Sequence, residues 1–120
     1  MVTYSFNTGD NVIYNSNIYT IFRLRIVSDS PAYFILNIND NSTLDNILES
    51  NLTSCDNNTL ISTLWNNFNY TGDNKLASKF VMNNIVAKLN GVSNLEWGPN
   101  SDNSVYIFKA SGQIWTKNKT

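Results

Sequence analysis

The chain has 120 residues, of which 42% are hydrophobic, 14% are charged and none is histidine, and its formal net charge is −1. This length suits one globular domain with a core of its own, so we expect a single domain over residues 1–120. The near-neutral charge excludes a strongly basic nucleic-acid protein, and the lack of histidine excludes Ser-His-Asp, Cys-His and histidine-based metal chemistry.

The first forty residues predict antiparallel strands. Short extended pieces are expected at 2–7 and 12–14, and the clearest strand at 18–27, where β-branched and aromatic residues alternate with period 2. A turn is expected at Pro31, and a matching alternation follows at 32–39. The last two segments are therefore predicted to form a hairpin at the centre of an antiparallel sheet.

The pattern changes to that of helices after residue 40. Three amphipathic helices are predicted, at 43–52, 58–69 and 74–90, because apolar residues recur three and four positions apart. Asp73 is suited to cap the start of the third helix, and Gly91 follows its expected end.

Extended segments return at the end of the chain, at 94–97, 104–109 and 113–116, the last two joined by a tight turn. The order of strands, helices and strands predicts an α+β fold. We expect an antiparallel sheet built from the N-terminal strands and the C-terminal hairpin, with about three helices packed on one face.

Asparagine is unusually abundant, since the sequence holds 22 Asn beside 13 Ser and 10 Thr. One interpretation is a genome rich in A and T, and the other is selection for a neutral, hydrogen-bonding surface. Five N-x-S/T patterns occur, about as many as this composition gives by chance, so they do not indicate glycosylation. The composition also suits a viral or mobile-element origin.

No targeting or membrane signal is visible. Residues 1–20 lack a basic stretch followed by an apolar one, and no apolar run approaches the roughly 20 residues of a membrane span. The only cysteine, Cys55, excludes an internal disulfide. We therefore expect no signal peptide, no membrane contact, and a location in the cytoplasm of the producing or host cell or in a virion.

One face of strand 18–27 predicts a protein interface. Strict alternation places Tyr19, Arg23 and Arg25 together on this face, and no other arginine occurs in the chain. Arginine beside aromatic residues is typical of protein–protein interfaces, although charges on an edge strand can also serve to prevent aggregation.

The preferred functional hypothesis is a non-enzymatic protein-binding or assembly protein. It would act through a protein partner or through self-association, either as a structural component of a virus or mobile element or as an inhibitor of a host protein. No catalytic residue, no cofactor and no metal is expected. The stretch 37–45 resembles a calcium loop but lacks its central glycine and closing glutamate, and no glycine-rich phosphate loop occurs.

A winged-helix-like nucleic-acid-binding protein is the first alternative. Three helices followed by a hairpin match that order, and the third helix would present Lys75, Lys79 and Asn83 to DNA. The electrostatics disfavour it, because residues 43–120 hold six lysines and six acidic residues, whereas phosphate contacts dominate DNA affinity.

A carbohydrate-binding module is the second alternative. It would use the aromatic residues of the C-terminal segment, with Trp97, Tyr106 and Trp115 as the stacking surfaces.

Overall fold

The computed structural model describes residues 2–89 and 91–120. The chain divides into two compact units, one up to Asp56 and one from Asn57 onward. The predicted α+β class with antiparallel strands is confirmed, but the strands form two sheets, one in each unit, and not one combined sheet. Whether the 120 residues act as one domain stays a prediction.

The first unit is built on a five-stranded antiparallel sheet. Its strand order is β4-β3-β2-β1-β5, so every neighbouring pair except β1 and β5 is also consecutive in sequence. The strands are β1 (Asn11–Tyr14), β2 (Asn17–Val27), β3 (Ser30–Asn37), β4 (Thr43–Leu48) and β5 (Thr53–Ser54). The predicted central hairpin is thus present as β2 and β3.

Two tight turns connect the first three strands. Asn15 and Ser16 have φ angles of 49° and 65°, and Ser28 and Asp29 have φ angles of 48° and 64°. Two successive residues with positive φ define the type I′ turn, whose twist matches that of paired antiparallel strands. Asparagine and aspartate tolerate this conformation better than most residues, so part of the asparagine content has a structural use.

The core of the first unit lies on one face of this sheet. Rings of the N-terminal segment cover it, since Tyr4 and Phe6 each pack edge-on against Tyr33 with centroids 5.8 Å apart. The strand predicted at 2–7 is not formed. A turn from Asn7 to Asp10 directs the segment onto the face of the sheet and away from its edge. The buried core residues are Val12, Tyr19, Ile21, Tyr33, Ile35 and Leu52.

The helix predicted at 43–52 was wrong. This segment forms β4 followed by a short 3-10 turn, Glu49–Asn51. The register against β3 shifts between Leu44 and Ile47, where Asn46 has a φ of 55°. This bulge adds one residue, so Leu44 and Ile47 both face the core although they are three positions apart. A bulged strand therefore reproduced the spacing of a helix.

The second unit contains two helices and a three-stranded antiparallel sheet. Helix α1 is Asn57–Asn66, which overlaps the predicted 58–69 but begins one residue earlier and ends three residues earlier, and α2 is Asn74–Phe80. The third predicted helix, 74–90, continues from α2 only as a widened π turn, Val81–Ile85, and a 3-10 turn, Val86–Lys88; its last residue, Asn90, lies outside the described residues. The strands are β6 (Glu96–Pro99), β7 (Val105–Ala110) and β8 (Gln113–Asn118), in the order β6-β7-β8.

Aromatic rings fill the space between the helices and this second sheet. The Trp65 ring of α1 lies 5.9 Å from Phe108 and 6.2 Å from Tyr106, both on β7. Phe68 stacks on Phe80 at 4.5 Å. The Asp73 side chain accepts hydrogen bonds from the first turn of α2, as predicted for its cap. The helices thus cover one face of this sheet, which agrees with the predicted packing on a single face.

Candidate functional site

A β-bulge divides β2 into two halves with different surroundings. Ile21 pairs with Ile35 and Arg23 with Phe34, so β2 contains one more residue, Phe22, than β3 at this point. Alternation is interrupted there. Tyr19 faces the core, where it is 7% exposed, whereas Arg23 and its alternate neighbour Arg25 lie on the opposite face. The predicted trio is therefore separated, and only the two arginines remain together.

The two arginines belong to what we call the arginine–aromatic cluster, formed by Phe22, Arg23, Arg25, Phe34 and Asp45. The rings of Phe22 and Phe34 lie 5.7 Å apart. The Arg23 guanidinium lies 5.5 Å from the centre of the Phe22 ring, and the Arg25 guanidinium lies 5.7 Å from that of Phe34. Cation–π geometry of this kind holds planar guanidinium groups in place on aromatic faces.

The two arginines differ in their acidic partners. Arg25 donates from Nε to the Asp45 carboxylate at 3.0 Å, across the intervening strand β3. This hydrogen bond lowers the pKa of the Asp45 carboxyl below its ordinary value. Arg23 forms no ion pair with any residue in the described ranges. The charge of Arg23 makes only a smaller contribution to lowering the Asp45 pKa, so the cluster presents one guanidinium to which no carboxylate of the described residues is bonded.

This positive charge stands out because its surroundings are acidic. Residues 1–56 hold the two arginines, no lysine and six acidic residues, a formal charge of −4. Residues 57–120 hold six lysines and three acidic residues, a formal charge of +3. The cluster thus contains every basic side chain of the first unit.

The outer half of β2, residues 22–27, is the most exposed apolar strand segment of the first unit. Strand β1 pairs only with residues 17–20 of β2, and Gly9 and Asp10 extend this contact to Ile21. Beyond that point β2 has a strand neighbour on the β3 side only. Phe22 is 53% exposed, Leu24 40% and Ile26 60%.

The sequence pattern predicted the two arginines of this site but not the open edge of β2 on which they lie. The alternation pattern carries no sign of the bulge at Phe22, and Asp45 was assigned to a helix. One signal was available, because the extended piece predicted before β2 covered only 12–14, whereas the strand at 18–27 was much longer. Such a difference in length implies that part of the longer strand lacks a neighbour.

The residues proposed for nucleic acid belong to the second unit, whereas this site belongs to the first. Lys75 and Lys79 are exposed on α2, and Asn83 is exposed in the π turn that follows it. The winged-helix order needed three helices before the hairpin, and residues 43–52 form a strand and a 3-10 turn. The arrangement on which this alternative depended is therefore not formed.

The residues proposed for carbohydrate stacking lie on the helix-covered face of the second sheet. Tyr106 is fully buried, its hydroxyl is 3.1 Å from that of Ser78, and burial raises its pKa. Trp115 is half-buried and donates from Nε1 to Ser62 Oγ at 3.1 Å. Trp97 is half-buried and lines an open groove of about 220 Å³. The other lining residues are Glu96, Gly98, Pro99, Ile107 and Lys109.

Metal-binding clusters and membrane-spanning helices are both absent from the residues that the structure describes. Within 2–89 and 91–120, no three or more Cys, Asp and Glu side chains are grouped so that they could hold a metal ion. The helices formed by these residues are all too short or too polar to cross a membrane.

Comparison with known proteins gave no relative. No protein-family model, no curated protein and no solved structure matches the chain. A functional assignment therefore depends on the chain's own side chains and surfaces.

Proposed function

We propose that the chain is a non-enzymatic protein-binding or assembly protein that contacts its partner through the outer half of β2. One observation carries this proposal. Six large hydrophobic side chains of the described residues are exposed, and three of them, Phe22, Leu24 and Ile26, fall within five consecutive positions that also contain both arginines.

The chemistry of this surface suits a protein partner. Aromatic and arginine side chains are enriched at protein interfaces and supply most of the binding energy in many of them. Phosphate recognition needs several cations, whereas this cluster offers one unpaired guanidinium, on Arg23, within an acidic unit. The surface is also a strand with open flanks, and small ligands are usually held in enclosed, mostly apolar cavities.

The biological setting stays a proposal drawn from composition. A short, asparagine-rich chain with few charges suits a structural component of a virus or mobile element, or an inhibitor of a host protein. The first role implies contact with further copies of the chain or with another structural protein, and the second implies contact with a protein of the host.

Photo-crosslinking tests the proposed surface directly. A photoreactive benzoyl-phenylalanine is introduced in place of Phe22, and in a control in place of Leu76, which is 62% exposed on α2. We expect discrete protein adducts from position 22 in the producing or host cell and none of comparable yield from position 76. Equal yields at the two positions would contradict the proposal.

Arginine variants supply the second arm of this test. With a partner identified by its adduct, or with the chain itself if the adduct is a homodimer, Arg23→Ala should weaken binding at least about tenfold, as expected for an interface anchor. Lys75→Ala serves as the matched control. Unchanged binding by both Arg23→Ala and Arg25→Ala would remove this surface from consideration.

A carbohydrate-binding role keeps one supporting observation. Trp97 lines an open groove with an acidic and a basic residue, Glu96 and Lys109, whose charged groups are 3.9 Å apart. Stacking of a sugar on Trp97 would change its fluorescence. Emission that stays constant across a glycan panel, in the wild type and in Trp115→Phe, would exclude this role.

A further inference from the structure

The outer half of β2 leaves main-chain groups open along one edge. In an antiparallel pair, opposite residues alternate between those that exchange hydrogen bonds with each other and those that do not. The type I′ turn after Val27 makes Val27 and Ser30 a hydrogen-bonded pair. Leu24 and Ile26 therefore occupy the other positions, where N–H and C=O point away from β3. Pro31, which has no N–H, lies opposite Ile26, as this alternation requires.

Within residues 2–56, no main-chain group pairs with the N–H and C=O of Leu24 and Ile26. The chain that precedes β1 makes its last main-chain contacts with β2 at Ile21, through Gly9 and Asp10. The φ of 92° at Gly9 belongs to the turn that takes the chain off the edge. The Tyr4 hydroxyl donates to the carbonyl of Arg25 at 2.8 Å, but Arg25 occupies one of the positions that pair with β3 and not with the open edge.

The outer strands of the two sheets differ from this segment because each is short, interrupted or covered, and β5 has only two residues. Strand β4 carries the bulge at Asn46. Strand β6 is four residues long and ends in Pro99. Along β8, the Trp65 indole donates to the carbonyl of Thr116 at 2.9 Å, and the N–H of Thr120 donates to the carbonyl of Tyr70 at 2.8 Å. Proteins commonly protect sheet edges in these ways and with charged side chains; from Leu24 to Ile26, β2 has only Arg25, whose side chain is paired with Asp45.

We infer that this edge binds an extended segment of a protein partner by β-strand addition, and that the segment alternates apolar and acidic residues. The inference deepens the proposed function and rests on it. Main-chain hydrogen bonds to Leu24 and Ile26 would supply affinity, and side-chain alternation would supply specificity. One face of the added strand would meet Leu24 and Ile26, and the other would meet Arg23.

Charge argues for an acidic segment and against a second copy of β2. Consider two copies of β2 that pair antiparallel and symmetrically through both Leu24 and Ile26. One register places Arg25 opposite Arg25 of the second copy. The other places Arg23 opposite Arg25. Like charges directly opposite each other destabilise a strand pair. A carboxylate at the same position would instead pair with Arg23, whose planar guanidinium can bind both carboxylate oxygens.

The first test uses a defined peptide and the full chain. The probe is a blocked eight-residue peptide of alternating valine and glutamate, and the control replaces glutamate with lysine. We expect the probe to shift the backbone NMR signals of residues 22–27 and to slow amide hydrogen exchange at Leu24 and Ile26, and the lysine peptide to do neither. Absence of these changes at millimolar probe would overturn the inference.

Methylated peptides separate strand addition from side-chain docking without altering the protein. Every second peptide nitrogen of an added strand faces β2. Methylating the valine nitrogens in one peptide and the glutamate nitrogens in another should therefore weaken binding about tenfold or more in one case and little in the other. Equal affinities would show that no strand pairing occurs.

Protein variants complete the test. Ile26→Pro removes an edge N–H that the β2–β3 ladder does not use, and Ile26→Ala removes a comparable side chain while keeping the N–H. We expect the proline variant to bind the probe at least about tenfold more weakly than the alanine variant. If Arg23→Glu abolished binding while the two Ile26 variants bound equally, the proposed surface would stand and strand addition would be excluded. Full binding by all three variants, together with equal crosslinking at positions 22 and 76, would exclude both.

Discussion

The inner and outer halves of β2 each carry at least three large apolar side chains, but only those of the inner half are buried. The inner half, residues 17–21, has β1 on one side and β3 on the other, and its Ile18, Tyr19 and Ile21 are buried. The outer half has β3 alone, and its Phe22, Leu24 and Ile26 are 40% to 60% exposed. Burial in this sheet is therefore decided by the number of neighbouring strands and not by the hydrophobicity of the residue.

The bulge at Phe22 marks the boundary between the two halves. An extra residue bends a strand and increases its twist, so β2 changes direction just after its last contact with the chain that precedes β1. The bulge also moves the arginines off the core face. The same local irregularity thus frees an edge and places Arg23 and Phe22 beside it.

A pair of alanine substitutions should give the largest difference between the halves. Ile21 is 1% exposed and Ile26 is 60% exposed. Ile21→Ala leaves a cavity in the core and should lower the free energy of unfolding by about 2 to 5 kcal/mol. Ile26→Ala removes a side chain that is largely in water and should change it by no more than about 0.5 kcal/mol. Urea unfolding followed by circular dichroism measures both.

Similar losses for the two variants would contradict this division of β2. They would mean that the outer half is buried in solution, for example by self-association. Repeating the measurement over a range of protein concentrations identifies that case, because the stability of an oligomer depends on concentration.

The second prediction concerns the cover over the core face of the outer half. Tyr33 lies opposite Leu24, and its hydroxyl donates to Glu49 Oε1 at 2.5 Å while accepting from the N–H of Phe6 at 3.3 Å. Tyr33→Phe removes both bonds and should lower the free energy of unfolding by about 1 to 2 kcal/mol. Burial and the bond to Glu49 raise the pKa of Tyr33 to about 12, so its phenol should ionise well above the ordinary value of 10 in an ultraviolet titration. Tyr14→Phe is a suitable control.

Much of the fold could be predicted from residue patterns, and the exceptions share a cause. The hairpin of β2 and β3, the cap at Asp73 and the antiparallel α+β class all follow from local patterns that tertiary contacts reinforce. The segment 43–52 failed because its bulge gave Leu44 and Ile47 a helical spacing. A bulge depends on a partner strand, and no property of the segment by itself reveals it.

The candidate site also has some features that local sequence patterns reveal and others that depend on strand pairing. Arg23 and Arg25 could be found because arginine is rare in this chain and because two of them alternate on a strand. Tyr19 could not be separated from them, since the period is interrupted at Phe22 only through pairing with β3. The open edge at Leu24 and Ile26 could not be located either, because its limits are set by where the preceding segment leaves the sheet.

The third prediction uses pH to release the N-terminal segment from the same face. The pKa of the Glu49 carboxyl lies below its ordinary 4.5. The hydrogen bond from the Tyr33 hydroxyl is the largest cause, and the one from the N–H of Ser5 is the next. A lowered pKa means that this stabilisation is complete above pH 4.5 and is lost as the pH falls through the folded value. Glu49→Gln should therefore reduce stability at pH 7 and reduce its decline between pH 5 and pH 3.

Acid unfolding curves of the two proteins measure this effect. The wild type should approach the stability of Glu49→Gln as the pH falls, since protonation removes the same charge. Parallel curves over the whole range would show that Glu49 is not the responsible carboxyl. Asp102, whose pKa is also lowered by its bonds to Ser104, should make its own contribution to the acid decline, and Asp102→Asn in the second unit measures that contribution.

The smallest change in stability is expected for substitutions of the two arginines. This change shows whether an arginine of the cluster stabilises the fold. Arg25 is paired with Asp45, and both side chains are partly exposed, at 35% and 42%. Exposed ion pairs contribute little and are screened by salt. Arg25→Ala should therefore cause a slight loss of stability at low salt that disappears in concentrated sodium chloride. Asp45→Asn should cause the same loss, and the double variant should lose no more than either single variant.

Arg23→Ala should cause a smaller loss of stability than Arg25→Ala, because Arg23 has no ion-pair partner among the described residues and only a weaker electrostatic effect on Asp45. Thermal unfolding of the single and double variants at two salt concentrations gives the comparison. A stability loss at Arg23 as large as that at Arg25 would mean that Arg23 has a structural role. If its removal is neutral for folding, its exposed position beside Phe22 and the open edge is explained best by contact with another protein.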